Sequence, residues 1–131
     1  MKHYKLRWAD AIHAHERALA RGGVHGFIDA GLVKAAIERP YSGYYRPISM
    51  KVAALVESMC MNHGFTDGNK RTCVILMLLL LDRSGYELVP LHGENIEDSI
   101  ESMAISVACG QMKFDAIARW AKQRIHKLPA T

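Results

Sequence analysis

Apolar residues recur at helical spacing through most of the chain. Trp8, Ile12, His15 and Leu19 fall four, three and four positions apart and draw one face of a helix. Gly22-Gly23 and Gly26 then interrupt the period. Asp29 is placed to cap a short helix carrying Leu32, Val33, Ala36 and Ile37. Pro40 ends that helix, because the residue before a proline disfavours the helical region. Pro40–Ser49 is rich in tyrosine and turn residues and reads as an exposed loop or short hairpin. Ser49 is placed to cap the next helix, which turns Val52, Leu55, Val56 and Met59 inward and ends near Asn62. After a polar loop a helix begins near Gly68, runs to Arg83 and stops at Gly85. Tyr86–Val89 reads as a brief strand. Residues 94–109 form a helix with Ile96, Ile100, Met103, Ala104, Val107 and Ala108 on one face. Its acidic stripe, Glu94, Glu97, Asp98 and Glu101, reads as a solvated face. The last helix, Lys113–His126, buries Phe114, Ile117, Ala118 and Ala121. Six helical segments predict an all-α bundle. The helix at 70–83 is apolar on every side and is expected at its centre.

Length and composition narrow this only a little. A chain of 131 residues is one domain, expected to span 1–131, because two halves would each be too small to hold a good core. Half of the residues are hydrophobic and 23% are charged, which excludes a wholly disordered chain. The longest apolar run, Cys73–Leu81, has nine residues, against the roughly 20 a membrane span needs. No apolar leader follows Met1. Three cysteines are an odd count with no Cys-x-x-Cys pair, which points away from a disulfide scaffold. The expectation is a soluble cytoplasmic protein. A net charge of +4 favours an anionic partner without choosing among nucleotide, nucleic acid and acidic protein.

One segment concentrates chemistry. Residues 61–72 read Met-Asn-His-Gly-Phe-Thr-Asp-Gly-Asn-Lys-Arg-Thr, at the junction of two helices. A helix N-terminus carries partial positive charge and favours acids, yet Lys70 and Arg71 stand in the first turn. Each cation there is unfavourable by about 0.3–1 kcal/mol, and a bound anion would reverse the sign. The N–H groups of Gly68, Asn69 and Lys70 would point at it, so a phosphate is the natural occupant. Asn69 can donate to a phosphate oxygen without adding charge. Asp67 could hold Mg²⁺ against the phosphates. His63 could take a proton from a hydroxyl, since imidazole exchanges protons near neutral pH. Phe65 is expected as an apolar plug that anchors the loop. A plain polar connection between helices is the competing reading of the same residues.

The segment His63-Gly64-Phe65-Thr66-Asp67-Gly68-Asn69-Lys70-Arg71-Thr72 resembles the Fic motif, His-Pro-Phe-x-Asp/Glu-Gly-Asn-Gly-Arg. It resembles more closely the Doc (death-on-curing) branch of that family, where lysine replaces the second motif glycine: His-x-Phe-x-Asp-Gly/Ala-Asn-Lys-Arg-Thr. Gly22-Gly23, Gly26, Asp29–Leu32 and Ala36–Pro40 resemble the family's upstream pattern, and Leu81–Tyr86 its downstream stop. The resemblance covers residues 4–126. Three positions depart from the pattern. Gly64 replaces a frequent proline and is expected to loosen the loop. Ile28 stands where many relatives carry arginine, and Val74 where the AMP-transferring branch has its second arginine. No Ser/Thr-x-x-x-Glu-Gly/Asn inhibitory motif is found, so restraint would come from another chain.

The resemblance implies a Fic/Doc-like helical bundle that binds ATP–Mg²⁺ and attacks it with a target hydroxyl. His63 is implied as general base, Asp67 as metal ligand, and Gly68, Asn69, Lys70 and Arg71 as phosphate binders. Lysine at the position of Lys70 implies a reversed nucleotide that presents its γ-phosphate, hence phosphorylation of Ser or Thr. Doc-like proteins are growth-arresting toxins neutralised by a small antitoxin. The implied partners are therefore that antitoxin and a protein substrate, with the translation apparatus as a source of such targets. Tyr41, Tyr44 and Tyr45 lie where the family has its target-docking flap, although a simple packing cluster reads equally well. His13 and His15 both resemble an N-terminal family histidine, without an assignment between them; a surface or core-polar role is expected. Cys60 and His63 have no second pair to complete a zinc site. The basic residues Arg119, Lys122, Arg124 and Lys127 read as a solvated face rather than a nucleic-acid surface. Two other functions stand beside phosphorylation: AMP transfer on the same site, and a non-catalytic module holding nucleotide or RNA.

Overall fold

The structure is a computed structural model describing residues 2–129. The described residues form six α-helices: α1 (Trp8–Ala18), α2 (Ala30–Glu38), α3 (Ile48–Asn62), α4 (Asn69–Arg83), α5 (Ile96–Ala108) and α6 (Phe114–Arg124). A 3₁₀ turn, Arg39–Tyr41, follows α2, and two three-residue strands, β1 (Tyr86–Leu88) and β2 (Ile125–Lys127), pair antiparallel. The all-α expectation holds. Asp29 caps α2 by accepting from the Gly31 N–H at 2.8 Å. Gly85 takes a φ of 86° just past α4, a conformation that favours glycine.

The centre of the bundle is α3, not α4. Ten of the fifteen residues of α3 are buried, and it packs against α2, α4, α5 and α6. Ala53 and Ala54 let these neighbours approach closely. The apolar helix α4 buries Thr72, Cys73, Leu76, Met77, Leu80 and Leu81, but leaves Leu78 exposed. Hydrophobicity on all sides marked α4 as interior, yet its polar first turn must reach the surface. Ser49 does not cap α3; Pro47 occupies the cap, and Ser49 is buried inside the first turn.

Two further differences involve α1 and α6. The residues of α1 that face the core are Ala11, Ala14, His15 and Ala18. Small side chains bring the α1 backbone close to α4. Of the predicted face Trp8, Ile12, His15 and Leu19, His15 and Leu19 are buried where α1 meets the helix junction, and Trp8 and Ile12 are half-buried. The helix α6 stops at Arg124, and Ile125–Lys127 turns to strand against β1, with Leu88 opposite Ile125. The Val89 N–H donates to the Arg124 carbonyl at 2.7 Å, and the Leu128 N–H to the Gly85 carbonyl at 2.9 Å. A strand partner 40 positions away is invisible to a local helical period. Inward from α6 come Ile117, Trp120, Ala121 and Arg124, so Trp120 and Arg124 join the core where Phe114 and Ala118 are only half-buried.

Candidate active site

The junction of α3 and α4 is a loop that ties itself down. At the end of α3, His63 adopts φ 49° and ψ 48°. It is the one non-glycine residue with positive φ among the described residues, and its imidazole is exposed. Histidine tolerates this left-handed conformation better than most residues, and strain of this kind gathers at functional positions. Gly64 is buried against α2. A Cβ there would lie 2.5 Å from Val33 Cγ2, so the glycine permits a close approach rather than loosening the loop. Its carbonyl accepts from the N–H groups of Ile28 and Asp29 at 2.9 and 3.0 Å. Phe65 is fully buried, as an anchor should be, and its backbone bridges to Phe27.

Asn69 has a different task from the one expected. Its Oδ1 accepts from the Phe65 N–H at 3.1 Å, and its Nδ2 donates to the Phe65 carbonyl at 2.9 Å. The carboxamide thus closes the loop on itself and holds the start of α4 in place. Gly68 takes a φ of 80° as the cap of α4, with Leu19 Cδ2 3.1 Å from where a Cβ would stand. Glycine is needed there for its backbone conformation and for contact with α1. The Gly68 N–H donates to Asp67 Oδ1 at 2.8 Å, so it is engaged. The first-turn N–H groups of Asn69, Lys70 and Arg71 lack intrahelical acceptors and remain for an anion. Lys70 extends into solvent. One Nη of Arg71 donates to the Ala18 carbonyl at 3.0 Å, at the negative end of α1.

Asp67 is held from two sides. The Val24 N–H donates to Oδ2 at 3.1 Å, while the Gly68 N–H holds Oδ1. The Val24 bond chiefly, then that from Gly68, lowers its carboxyl below the usual aspartate value, with Arg71 adding a smaller pull. It is therefore ionised and exposed, and no cation among the described residues lies within salt-bridge distance of it. No cluster of three or more His, Cys, Asp or Glu side chains placed to hold a metal exists among the described residues. A single carboxylate with spare lone pairs fits Mg²⁺ carried in on phosphates, not a metal caged by protein.

Beside the loop lies a groove of about 1100 Å³ between the end of α1, the Gly22-Gly23 turn, α4 and α5. Asp67, Lys70 and Arg71 line it together with Arg17 and Arg21, while Val74, Ile75 and Ile105 contribute apolar floor. Glu97 and Glu101 stand on its α5 side. Sequence reasoning missed Arg17 and Arg21; their four-residue spacing at the end of α1 was the available signal. His63 is not part of this lining and occupies the other end of the loop. The structure thus brings Asp67, Lys70 and Arg71 to one wall, and leaves Asn69 and Gly68 as its framework.

The tyrosines separate. The Tyr41 hydroxyl donates to the Tyr4 carbonyl at 2.7 Å and accepts from the Leu6 N–H at 2.9 Å; burial chiefly pushes its hydroxyl up to about 12. The Tyr45 hydroxyl accepts from Arg39 Nε at 3.2 Å, and its ring packs on Phe114. Only Tyr44 is free, at 85% exposure. None of their hydrogen bonds or ring contacts reaches residues 61–72. The segment edging the motif is Val24–Asp29. His13 is exposed, and His15 is buried against Phe65. The acidic stripe also divides. Glu94 pairs with the buried guanidinium of Arg124, bonding Nε at 2.8 Å, so neither residue belongs to a merely solvated face.

The chain belongs to the Fic/DOC family, whose pattern matches residues 6–81, a span that includes this junction. Over 106 residues it is 32% identical to the Toxin Doc of Mycolicibacterium smegmatis (strain ATCC 700084 / mc(2)155), covering 77% of this chain and 79% of that protein. No helix among the described residues is long and apolar enough to cross a membrane.

Proposed function

We propose that this protein is a Doc-like toxin that transfers the γ-phosphate of ATP to a Ser or Thr hydroxyl of a protein target in the cytoplasm. The observation that carries the reading is the wall formed by Asp67, Lys70 and Arg71 at the start of α4. Two cations beside free helix N–H groups suit the phosphates that do not react. Asp67 would hold Mg²⁺, which when bound would offset phosphate charge. His63 takes the proton of the attacking hydroxyl; that oxygen bonds to the γ-phosphorus, and ADP leaves. Holding the attacking oxygen, the γ-phosphorus and the leaving oxygen in line, with their charge stabilised, supplies most of the catalysis in phosphoryl transfer. Val74, half-buried in the groove, offers no charge to a second phosphate arrangement, which weighs against AMP transfer.

The implied partner is a small antitoxin. The groove's apolar floor and mixed-charge rim suit an amphipathic segment, and a segment seated there would cover Lys70 and Arg71. Expression of the chain alone should slow bacterial growth, and the His63→Ala form should not; equal tolerance of both would count against a toxin. The decisive test uses ATP labelled at the α or the γ position with a cell extract. Label passing from γ to a protein supports the reading. Label from α assigns AMP transfer, and label from neither leaves a binding module.

A further inference from the structure

We infer that His15 is a positioning residue of this site, acting through the peptide that joins Asp67 to Gly68. His15 lies on α1, 7% exposed, and its Nε2 is 2.9 Å from the Asp67 carbonyl oxygen, 52 positions along the chain. A carbonyl oxygen can only accept, so Nε2 carries the proton in this contact. The other end of the same peptide, the Gly68 N–H, is taken by Asp67 Oδ1. The peptide is therefore held at both ends. Its plane sets where the Asp67 carboxylate points and where the first turn of α4 begins.

The ring is fixed in turn. His15 stacks on Phe65 with centroids 3.7 Å apart and planes 10° from parallel. Phe65 stacks on Phe27 at 5.1 Å, and Phe27 on Trp8 at 5.8 Å. Trp8 and His15 are seven residues apart, two turns of one helix face, so α1 supplies both ends of a four-ring stack. The two phenylalanines between them belong to the segments joined by the Phe27–Phe65 bridge. Stacking sets the imidazole's plane, and the hydrogen bond transmits it to Asp67. A histidine serving only as filler would need the stack but not the bond.

The role rests on the proposed Mg²⁺–ATP site, so the test separates the two. His15→Phe keeps a ring on Phe65 and removes the donor; His15→Gln retains a side-chain N–H donor and removes the ring. For His15→Phe we expect a melting temperature close to that of the parent, faster hydrogen exchange at the Gly68 amide, and Mg²⁺–ATP affinity lowered about three- to tenfold, the worth of one hydrogen bond. His15→Gln should recover the affinity while losing thermal stability. Unchanged Gly68 exchange and unchanged affinity in His15→Phe, or failure of His15→Gln to recover any of the loss, would overturn the inference. If the parent binds no Mg²⁺–ATP, the proposed function fails, and Gly68 exchange in the variants still decides the role of His15. The unaltered protein gives an independent check: nitrogen-15 NMR should find Nε2 of His15 protonated and its hydrogen shielded. An unprotonated Nε2 would overturn the inference even if both variants failed to fold.

Discussion

Two carboxylates in this molecule are held below their ordinary titration range, for opposite reasons. Glu94 is drawn down to about 2, chiefly by its hydrogen bonds from Arg124. Asp67 is drawn down chiefly by the Val24 N–H and then by that of Gly68. The first charge is answered by a buried guanidinium that also lies over the Trp120 ring, and the pair ties the start of α5 to the end of α6. The second is kept ionised by backbone groups and has no pairing cation among the described residues, so its field remains available to a ligand. A charge answered within the fold strengthens the fold. A charge left unanswered, beside cations that are themselves locally unfavourable, adds nothing to the fold and is what the proposed phosphate site would use.

The predictions press on that division. His63→Ala should have the largest effect: transfer falling about 10²–10⁴-fold, with the melting temperature almost unmoved. Assay of labelled phosphate transfer beside thermal unfolding checks both halves, and retained activity would remove His63 from the mechanism. Phe65→Ala crosses the division, because Phe65 is both core and loop anchor. It should cost about 3–5 kcal/mol of stability and most of the activity together. Chemical denaturation would show it, and a small loss would mean that the ring stack is not what holds the loop.

Lys70→Gly should reduce γ-phosphate transfer about 10–100-fold, the loss of one charged contact to phosphate. AMP transfer should rise weakly or not at all, since Val74 provides no second arginine. Mass spectrometry of a modified target distinguishes the two products, and unchanged phosphorylation would remove Lys70 from orienting the nucleotide. The smallest effect belongs to pH. Glu94 has a folded-state value lowered from 4.5 to about 2, so its stabilisation is full above the unfolded value and is lost as pH falls toward 2. Glu94→Gln should be less stable than the parent at neutral pH, and the two should converge between about pH 4.5 and pH 2. Parallel denaturation curves over that whole window would show that the pair does not stabilise the fold.

The family was legible in residues 61–72, because a family motif is a local string and charge at a helix start breaks a local rule. Phe65 is buried, as that reading expected of a loop anchor. Asn69 was misread because its amide could serve a phosphate or a backbone peptide equally well, and only the closed loop decides between them. For the tyrosines at 41 and 45 the sequence left a docking flap and a packing cluster equally open for the same reason: a hydroxyl's partner cannot be known before the chain brings Tyr4, Leu6 and Arg39 to it.

What the sequence by itself determined were the helices, their order and the place of the reactive loop. Period, caps and motif all act over a few residues, within reach of one turn. Only the tertiary structure decided which face of α1 meets the core, since alanines pack closest to α4 there. It alone set α3 at the centre, turned Ile125–Lys127 into a strand, and paired Glu94 with Arg124. Each of these depends on a partner far along the chain, and His15 reaching Asp67 across 52 positions is the same physics at the candidate site.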